Sequence, residues 1–202
     1  MGIYASYVLP NLTHLSMGQA QLRPYRARVV GRARGRVLEI GVGSGRNLPY
    51  YADCVEEVIG IDISPEMLAL AVRAAALSSR KVTLLTRSAE TLPLESQSVD
   101  TAVVTWSLCS IPDPVVALRE ARRVLKPNGQ LRFVEHGLAP DASVHAWQDR
   151  LTPLWRYCAG GCHLNRKIDE LIGAGGFQIV ELSKEYASGP RPMSYMYEGV
   201  AI

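Results

Sequence analysis

Apolar residues along this chain fall into two alternating patterns. Short apolar runs, typical of strands that are buried on both faces, occupy residues 37–40, 58–61, 82–86, 99–105 and 130–135. The segments between these runs carry helical signals. Strands that alternate with helices form βαβ units, so the pattern predicts a doubly wound parallel sheet.

Two of the intervening helices have clear starts. Ser64 and Asp113 each precede a proline, and such side chains accept a hydrogen bond from the first turn while proline suits the first helical position. We expect the first of these helices to reach about residue 77. The second should reach residue 125, where Pro127 and Gly129 close it.

The hydrophobic pattern changes in the last third of the chain. Apolar residues between 147 and 158 recur at spacings of three and four, which predicts one helical face, and Pro153 should kink or divide that helix. A short helix over 168–174 follows. Residues 178–182 and 193–202 are predicted as two terminal strands.

A glycine-rich turn follows the first predicted strand. It contains Gly41, Gly43 and Gly45, whose missing side chains allow positive φ and close approach of a ligand. Asp62 ends the next strand, at the expected distance of about 20 residues, where a carboxylate can accept hydrogen bonds from ribose hydroxyls. Arg46 stands where a dinucleotide fingerprint would place its last glycine, so a different nucleoside cofactor is favoured.

The stretch E-I-G-V-G-S-G over 39–45 resembles motif I of the class I S-adenosylmethionine (SAM)-dependent methyltransferases. Three further matches occur in that family's order and spacing: G-I-D-I-S over 60–64 with Met67, S-A-E-T-L-P over 88–93, and R-V-L-K-P-N-G over 123–129. The resemblance implies SAM as cofactor and S-adenosylhomocysteine as product. It also implies a Rossmann-like sheet of seven strands, mostly parallel, with an antiparallel last strand.

The resemblance also sets the expected organisation, a single methyltransferase domain over 1–202. Within it we expect an N-terminal lid over 1–34, a SAM-binding core over 35–137, an acceptor-side helical insertion over 138–166, and a terminal helix and hairpin over 167–202.

Eleven positions match the family's cofactor contacts: Glu39, Gly41, Gly43, Gly45, Asp62, Ile63, Met67, Ser88, Ala89, Trp106 and Ser107. The resemblance implies that Gly41 and Gly43 pass under the methionine moiety, that Asp62 holds the ribose, and that backbone around Trp106 and Ser107 faces the amino-acid end.

The adenine is expected between Ile63 and Met67, with Ser88 and Ala89 at its edge. Glu39 is expected to act through water or loop amides. A glycine turn or a methionine at helical spacing can equally be pure packing, and the four ordered motifs together favour the cofactor site.

His136, next to Glu135 after the fifth strand, is the candidate catalytic residue. Methyl transfer from a sulfonium is an in-line displacement that mainly requires alignment. An imidazole titrates near neutral pH, so His136 could orient or deprotonate an acceptor. The alternative is a histidine that satisfies local backbone at a strand end.

The segment 150–166 carries a second resemblance. Together with Glu135-His136 and the run Leu108-Cys109-Ser110, it is similar to mammalian membrane-associated alkyl thiol S-methyltransferases. Those proteins have a hydrophobic N-terminal anchor, and from the sequence we expect this chain to lack one. Similar bacterial sequences look like phospholipid or quinone methyltransferases of the ubiquinone-biosynthesis type.

The favoured function is therefore methyl transfer to a small hydrophobic acceptor, with a thiol first. A phosphatidylethanolamine or quinone acceptor is the alternative, and a non-catalytic SAM-binding protein is the alternative of another class. Five aromatic residues are candidates for the acceptor pocket, with packing as their other explanation: Tyr4, Tyr7, Trp147, Trp155 and Tyr157.

Composition and sequence motifs limit the classes of partner that we expect for this chain. The net charge is +3, and the six arginines within 23–36 are best explained as a solvated helix face. A nucleic-acid partner is not expected, because T-W-S-L-C over 105–109 replaces a base-methylation motif. With no long apolar run and no signal peptide, the expected location is the cytoplasm, where peripheral but not integral membrane contact is compatible with the sequence.

Four cysteines are too few and too unevenly spaced for a secreted disulfide framework, so reduced thiols are expected. Cys158, Cys162 and His163 form one C-x3-C-H motif without a second ligand pair. This is a poor zinc signature, and no metal is expected.

Overall fold

Seven strands form one sheet in the computed structural model, which describes residues 4–202. They are β1 (Gly35–Ile40), β2 (Val55–Asp62), β3 (Lys81–Thr86), β4 (Val99–Thr105), β5 (Leu125–His136), β6 (Ile179–Tyr186) and β7 (Tyr195–Ala201). Their order is β3-β2-β1-β4-β5-β7-β6. Pairs among the first five strands are parallel, and β7 is antiparallel to both neighbours, so the predicted fold class is confirmed.

Helices connect and flank these strands. They are α1 (Leu9–Ser16), α2 (Arg23–Val29), α3 (Pro65–Ala76), α4 (Pro114–Val124), α5 (Ala142–Cys158), α6 (Ile168–Ala174) and α7 (Arg191–Ser194). A π-helical turn, Tyr4–Val8, leads into α1. Among the helices of residues 4–202, none combines the length and the apolar character that crossing a bilayer requires.

Both predicted helix starts are confirmed. The side-chain oxygen of Ser64 accepts a hydrogen bond from the amide of Met67 at 3.1 Å, and that of Asp113 accepts one from Val116 at 3.0 Å. Each cap satisfies an amide that the first turn leaves unpaired.

Two boundaries differ from the sequence prediction. Helix α4 ends at Val124 and β5 begins at the next residue, so Pro127 and Gly129 lie inside the strand instead of after the helix. Helix α5 runs undivided through Pro153. The side chain of Thr152 in this helix donates to the carbonyl of Gln148 at 2.7 Å.

Apolar side chains cover both faces of the sheet, as a doubly wound fold requires. On one face, α4 and α6 pack against Leu38, Val104 and Phe133. On the other, the segment Val30–Arg32 packs against β1, β2 and β4.

Part of the predicted N-terminal lid is buried in the core. Leu22, Tyr25 and Val29 of the α2 region are buried against Val134 of β5 and Met196 of β7. Within the predicted lid, residues 1–3 lie outside the described residues, α1 contacts α3, and α2 belongs to the core.

The strand order reverses between β1 and β4. From β1 the chain proceeds outward to β2 and β3, then returns to β4 on the other side of β1. The loops that leave β1 and β4 therefore diverge and open a crevice at their carboxyl ends, where ligands of such sheets bind.

Candidate active site

A cavity of about 420 Å³ lies at this crevice. Its volume falls in the range of about 300–1,000 Å³ that is typical of small-molecule sites. Most of the predicted cofactor positions line it: Gly41, Gly43, Asp62, Ile63, Met67, Ser88, Ala89, Trp106 and Ser107. The two remaining positions, Glu39 and Gly45, are not on its wall.

The Asp62 carboxylate connects two parts of the wall. One oxygen accepts a hydrogen bond from the amide of Gly43 at 2.9 Å, and the other accepts one from the amide of Ser64 at 2.9 Å. Burial raises the pKa of Asp62 above its ordinary value, against the effect of these amides. Because a carboxylate oxygen has two lone-pair positions, each can still accept from a ligand hydroxyl.

The glycine turn leaves bare backbone at the cavity. Gly41 and Gly43 have φ values of 69° and 54°, in the left-handed region that favours glycine. A Cβ at Gly43 would lie 3.3 Å from the terminal methyl of Met67, on the cavity wall, and a Cβ at Gly41 would collide with Ser107. Side chains at these two positions would press against residues that line the cavity.

Gly45 has a different task from the one predicted. A Cβ at this position would meet the Cβ of Ala74 at 3.0 Å and Leu48 at 3.1 Å. Gly45 thus allows the turn to pack against α3, and its contribution to the cavity is indirect.

Glu39 lies beneath the glycine turn, where its described partners are side chains, and its predicted action through water or loop amides stays a prediction. One carboxylate oxygen accepts from the side-chain amide of Asn47 at 2.9 Å, and the other accepts from the Tyr51 hydroxyl at 2.7 Å. Burial raises the pKa of Glu39 to about 7. Glu39 therefore supports the turn through neighbouring side chains.

Arg26 extends this network to the cavity and was missed by the sequence analysis. Its Nε donates to the side-chain oxygen of Asn47 at 3.0 Å, and its Nη2 donates to the carbonyl of Met17 at 2.8 Å. Its guanidinium carbon lies 4.8 Å from the ring centroid of Trp106. Arg26 is only 4% exposed, so the interpretation of this arginine cluster as a solvated face is wrong for this residue.

A sequence signal for Arg26 did exist. Leu22, Tyr25 and Val29 stand three or four positions from one another, which places them and Arg26 near one side of the segment. A charge on the buried side of a helix is rare unless it is paired. That combination would have pointed to a buried interaction.

The loop after β4 is held by Glu135. One oxygen of this buried carboxylate accepts from the amides of Ser107 and Leu108, at 2.6 and 3.0 Å. Burial raises the pKa of Glu135 to about 8. The preceding Trp106 has a φ of 50°, which is unusual for a bulky side chain. Trp106 lines the cavity, and its ring contacts the guanidinium of Arg26.

Helix α1 closes one side of the cavity. Arg46, directly after the glycine turn, donates through Nη2 to the carbonyl of His14 at 3.0 Å and lies 2.8 Å from Nε2 of the same residue. The wall on this side is mainly apolar, with these members: Leu9, Pro10, Met17, Ile111, Pro112 and Ala159.

The aromatic residues predicted for the acceptor pocket do not line this cavity. Trp147 is 54% exposed and Tyr157 is 84% exposed, and Tyr7 is also on the surface. The Tyr4 hydroxyl donates to the carbonyl of Cys158 at 2.6 Å, joining the N-terminal segment to the end of α5. The spacing of apolar residues between 147 and 158 correctly indicated a helix. It did not show that Trp147 and Tyr157 face the solvent.

His136 likewise lies behind the cavity wall. Its Nε2 is 3.1 Å from Sγ of Cys162, and the indole nitrogen of Trp155 donates to the same sulfur at 3.3 Å. Neither His136 nor Trp155 is among the residues that line the cavity. The structure therefore does not bring His136 or Trp155 to the cavity, where the sequence predicted that they contact an acceptor.

A parallel sheet with a glycine turn and a strand-end carboxylate at its switch point defines a nucleoside-cofactor protein. A family described as a methyltransferase domain matches residues 38–133. The chain belongs to the SAM-dependent methyltransferases.

Individual proteins agree with this assignment. The chain is 30% identical to thiol S-methyltransferase TMT1B of Rattus norvegicus, over 81% of this chain and 66% of that protein. It is 36% identical to phosphatidylethanolamine N-methyltransferase of Cereibacter sphaeroides, over 60% of this chain and 61% of the relative. The chain thus spans about two thirds of these relatives or slightly less. The YcgJ protein of Bacillus subtilis, 24% identical with a TM-score of 0.66 over 82% of this chain and 72% of its own, shares the fold.

Proposed function

We propose that this chain binds SAM in the cavity at the β1–β4 crevice and transfers its methyl group to a small hydrophobic acceptor, with a thiol as the first candidate. SAM supplies a methyl group on a positively charged sulfur, ready for transfer to a nucleophile. The observation that carries the proposal is one cavity that contains the motif residues and continues into an apolar wall. The thiol S-methyltransferase among the similar proteins supports the choice of acceptor.

The described residues fit this cofactor. Asp62 would accept hydrogen bonds from the ribose hydroxyls, because it lines the cavity and each of its oxygens retains acceptor capacity beside one backbone amide. Gly41 and Gly43 offer backbone without side chains where the methionine moiety must pass. Arg26 presents a buried positive charge on the wall, which suits the cofactor carboxylate.

The chain contributes alignment and exclusion of water. Leu9, Met17 and Ile111 form an apolar wall that suits an uncharged acceptor. A thiol has a pKa near 8.5, so part of it is thiolate at neutral pH, and a dedicated base is not required for its methylation. The interior position of His136 agrees with a reaction that proceeds without it.

A second acceptor class has its own support. Tyr7, Leu12 and Leu15 on the N-terminal helical segment are exposed, as are Leu154 and Tyr157 on α5. Such side chains could lie against a lipid surface. With the similarity to a phosphatidylethanolamine N-methyltransferase, they make a phospholipid headgroup the second candidate.

The test is release of S-adenosylhomocysteine by the purified chain with SAM. Alkyl thiols, amines, phenols and phosphatidylethanolamine vesicles would be compared side by side, with SAM binding measured separately by calorimetry. We expect turnover with alkyl thiols. A signal confined to vesicles or phenols would move the acceptor to lipid or quinone chemistry. Intact SAM binding without turnover on any acceptor class would contradict the proposed activity and favour a non-catalytic binder.

A further inference from the structure

Three soft donor groups converge beside the cavity wall. Cys109 follows β4, His136 ends β5, and Cys162 follows α5, so they are far apart in the sequence. The two sulfurs and a ring nitrogen of His136 all lie within 4.8 Å of one another. The fold therefore builds a cluster that no local sequence motif shows.

The cluster is enclosed. Both cysteines are buried and free of disulfides. Trp155 donates to Cys162, and the Cys109 sulfur lies 3.5 Å from the Ser110 hydroxyl. Two buried atoms next to it, Nδ1 of His136 and one oxygen of Glu135, have no hydrogen-bond partner among the described residues. Buried polar atoms are normally paired, so this cluster is not a completed network of hydrogen bonds.

We propose that Cys109, His136 and Cys162 bind one divalent cation of the zinc type through their two sulfurs and Nε2 of the imidazole. Thiolate and imidazole ligands select zinc-like ions over Mg²⁺ or Ca²⁺, which prefer oxygen. Two thiolates offset the charge of a divalent cation, so the buried site carries no net charge. Three protein ligands leave one tetrahedral position for water or another small ligand.

This ligand set differs from the one that the sequence suggested. Cys158 is exposed on the last turn of α5, and Nδ1 of His163 lies 3.1 Å from the carbonyl oxygen of Cys109. Of the C-x3-C-H motif, only Cys162 belongs to the cluster. Its partners come from the ends of two strands.

A bound ion would connect two walls of the cavity. The residues after Cys109, Ser110 and Ile111, line the cavity, and so do Ala159 and Gly160, which precede Cys162. Because each wall segment lies within three residues of a ligand, the ion would hold them together.

The test is a cobalt titration of the full chain after metal removal with a chelator. We expect one Co²⁺ per chain, an intense thiolate-to-cobalt absorption in the near ultraviolet, and loss of that absorption when Zn²⁺ is added. Cys109→Ser and Cys162→Ser should each weaken binding about tenfold or more, since even residues that only support metal ligands have effects of this size. The exposed controls Cys54→Ser and Cys158→Ser should bind as the unaltered chain does.

The unaltered chain decides the question even if a variant fails to fold. Absence of the thiolate-to-cobalt absorption in the folded chain would overturn the proposal, and so would loss of binding in Cys158→Ser with retention in Cys162→Ser. SAM binding by calorimetry on the same samples keeps this result separate from the proposed methyl transfer. A chain that binds SAM but no metal would refute only the metal site.

Discussion

Asp62 is both a ligand-facing carboxylate and a part of the wall, since it holds the amides of Gly43 and Ser64. We expect Asp62→Ala to weaken SAM binding by at least about 1.5–3 kcal/mol, the usual contribution of hydrogen bonds to a charged group. Asp62→Asn keeps one acceptor oxygen and should lose less. Calorimetry measures both.

Glu56→Ala is the matched control, because Glu56 is an exposed acid on the same strand. Its SAM affinity should equal that of the unaltered chain. Equal affinity in Asp62→Ala would show that Asp62 does not hold the ribose.

Glu39 gives the stability of the fold a pH dependence. Its pKa is raised from 4.5 to about 7, so its contribution to stability is fully present below pH 4.5 and is lost as the pH rises through 7. Glu39→Gln keeps the shape without the charge. As the pH rises from about 4 to about 8, the difference in unfolding free energy between the variant and the unaltered chain should shift by about 3 kcal/mol in favour of the variant.

Urea unfolding across this pH range measures the difference, in which contributions of other titrating groups cancel. A constant difference between the two chains would mean that the pKa of Glu39 is the same in the folded and the unfolded chain.

The sequence revealed the residues that offer backbone or a strand-end carboxylate to a ligand, because local order determines them. Gly41, Gly43 and Asp62 were found in this way. Arg26 and Tyr51 could not be found by the same means. Arg26 contacts Asn47 and Tyr51 contacts Glu39, and tertiary packing brings these side chains together.

At the scale of elements, Arg46 joins the glycine turn to α1 through His14. We expect Arg46→Met to loosen α1, because this arginine spans the two elements. Amide hydrogen exchange over residues 9–16 should become faster while exchange in β1 stays unchanged.

Arg87→Met is the control for this change, since Arg87 also lines the cavity but its side chain donates to the backbone of Thr86. Exchange in α1 should not respond to it. If both variants left α1 equally protected, Arg46 would not be the connection that holds it.

The elements themselves were largely predictable. Strands 37–40 and 58–61 lie inside β1 and β2, and 168–174 coincides with α6. The errors occurred where tertiary pairing outweighs local signals. Residues 125–129 contain Pro127 and Gly129, yet they extend β5, and Leu125 pairs with Val99 of β4.

At the scale of the whole molecule, the segment before β1 belongs to the folded unit. A chain that begins at residue 35 keeps all seven strands but loses Arg26 and the buried Leu22, Tyr25 and Val29. Each large apolar side chain contributes roughly 1.5–3 kcal/mol, a substantial part of the about 5–15 kcal/mol of a typical domain. We expect this shortened chain to lose cooperative thermal unfolding.

A chain that begins at Met17 is the comparison. It keeps α2 and the Arg26 contacts, so it should unfold cooperatively while it lacks the α1 wall of the cavity. Calorimetry would compare the two shortened chains with the full one. Cooperative unfolding of the shorter chain at an unchanged temperature would show that α2 is dispensable for the core.

The position of β7 determines how the sheet is completed during synthesis. This strand lies between β5 and β6, and among the strands of residues 4–202 β6 has no other neighbour. As the chain leaves the ribosome, β6 appears before the strand it must pair with. Until β7 has also appeared, the edge of β5 stays open to strands of other chains. The parallel part of the sheet can form first, but the hairpin edge closes only when β7 follows.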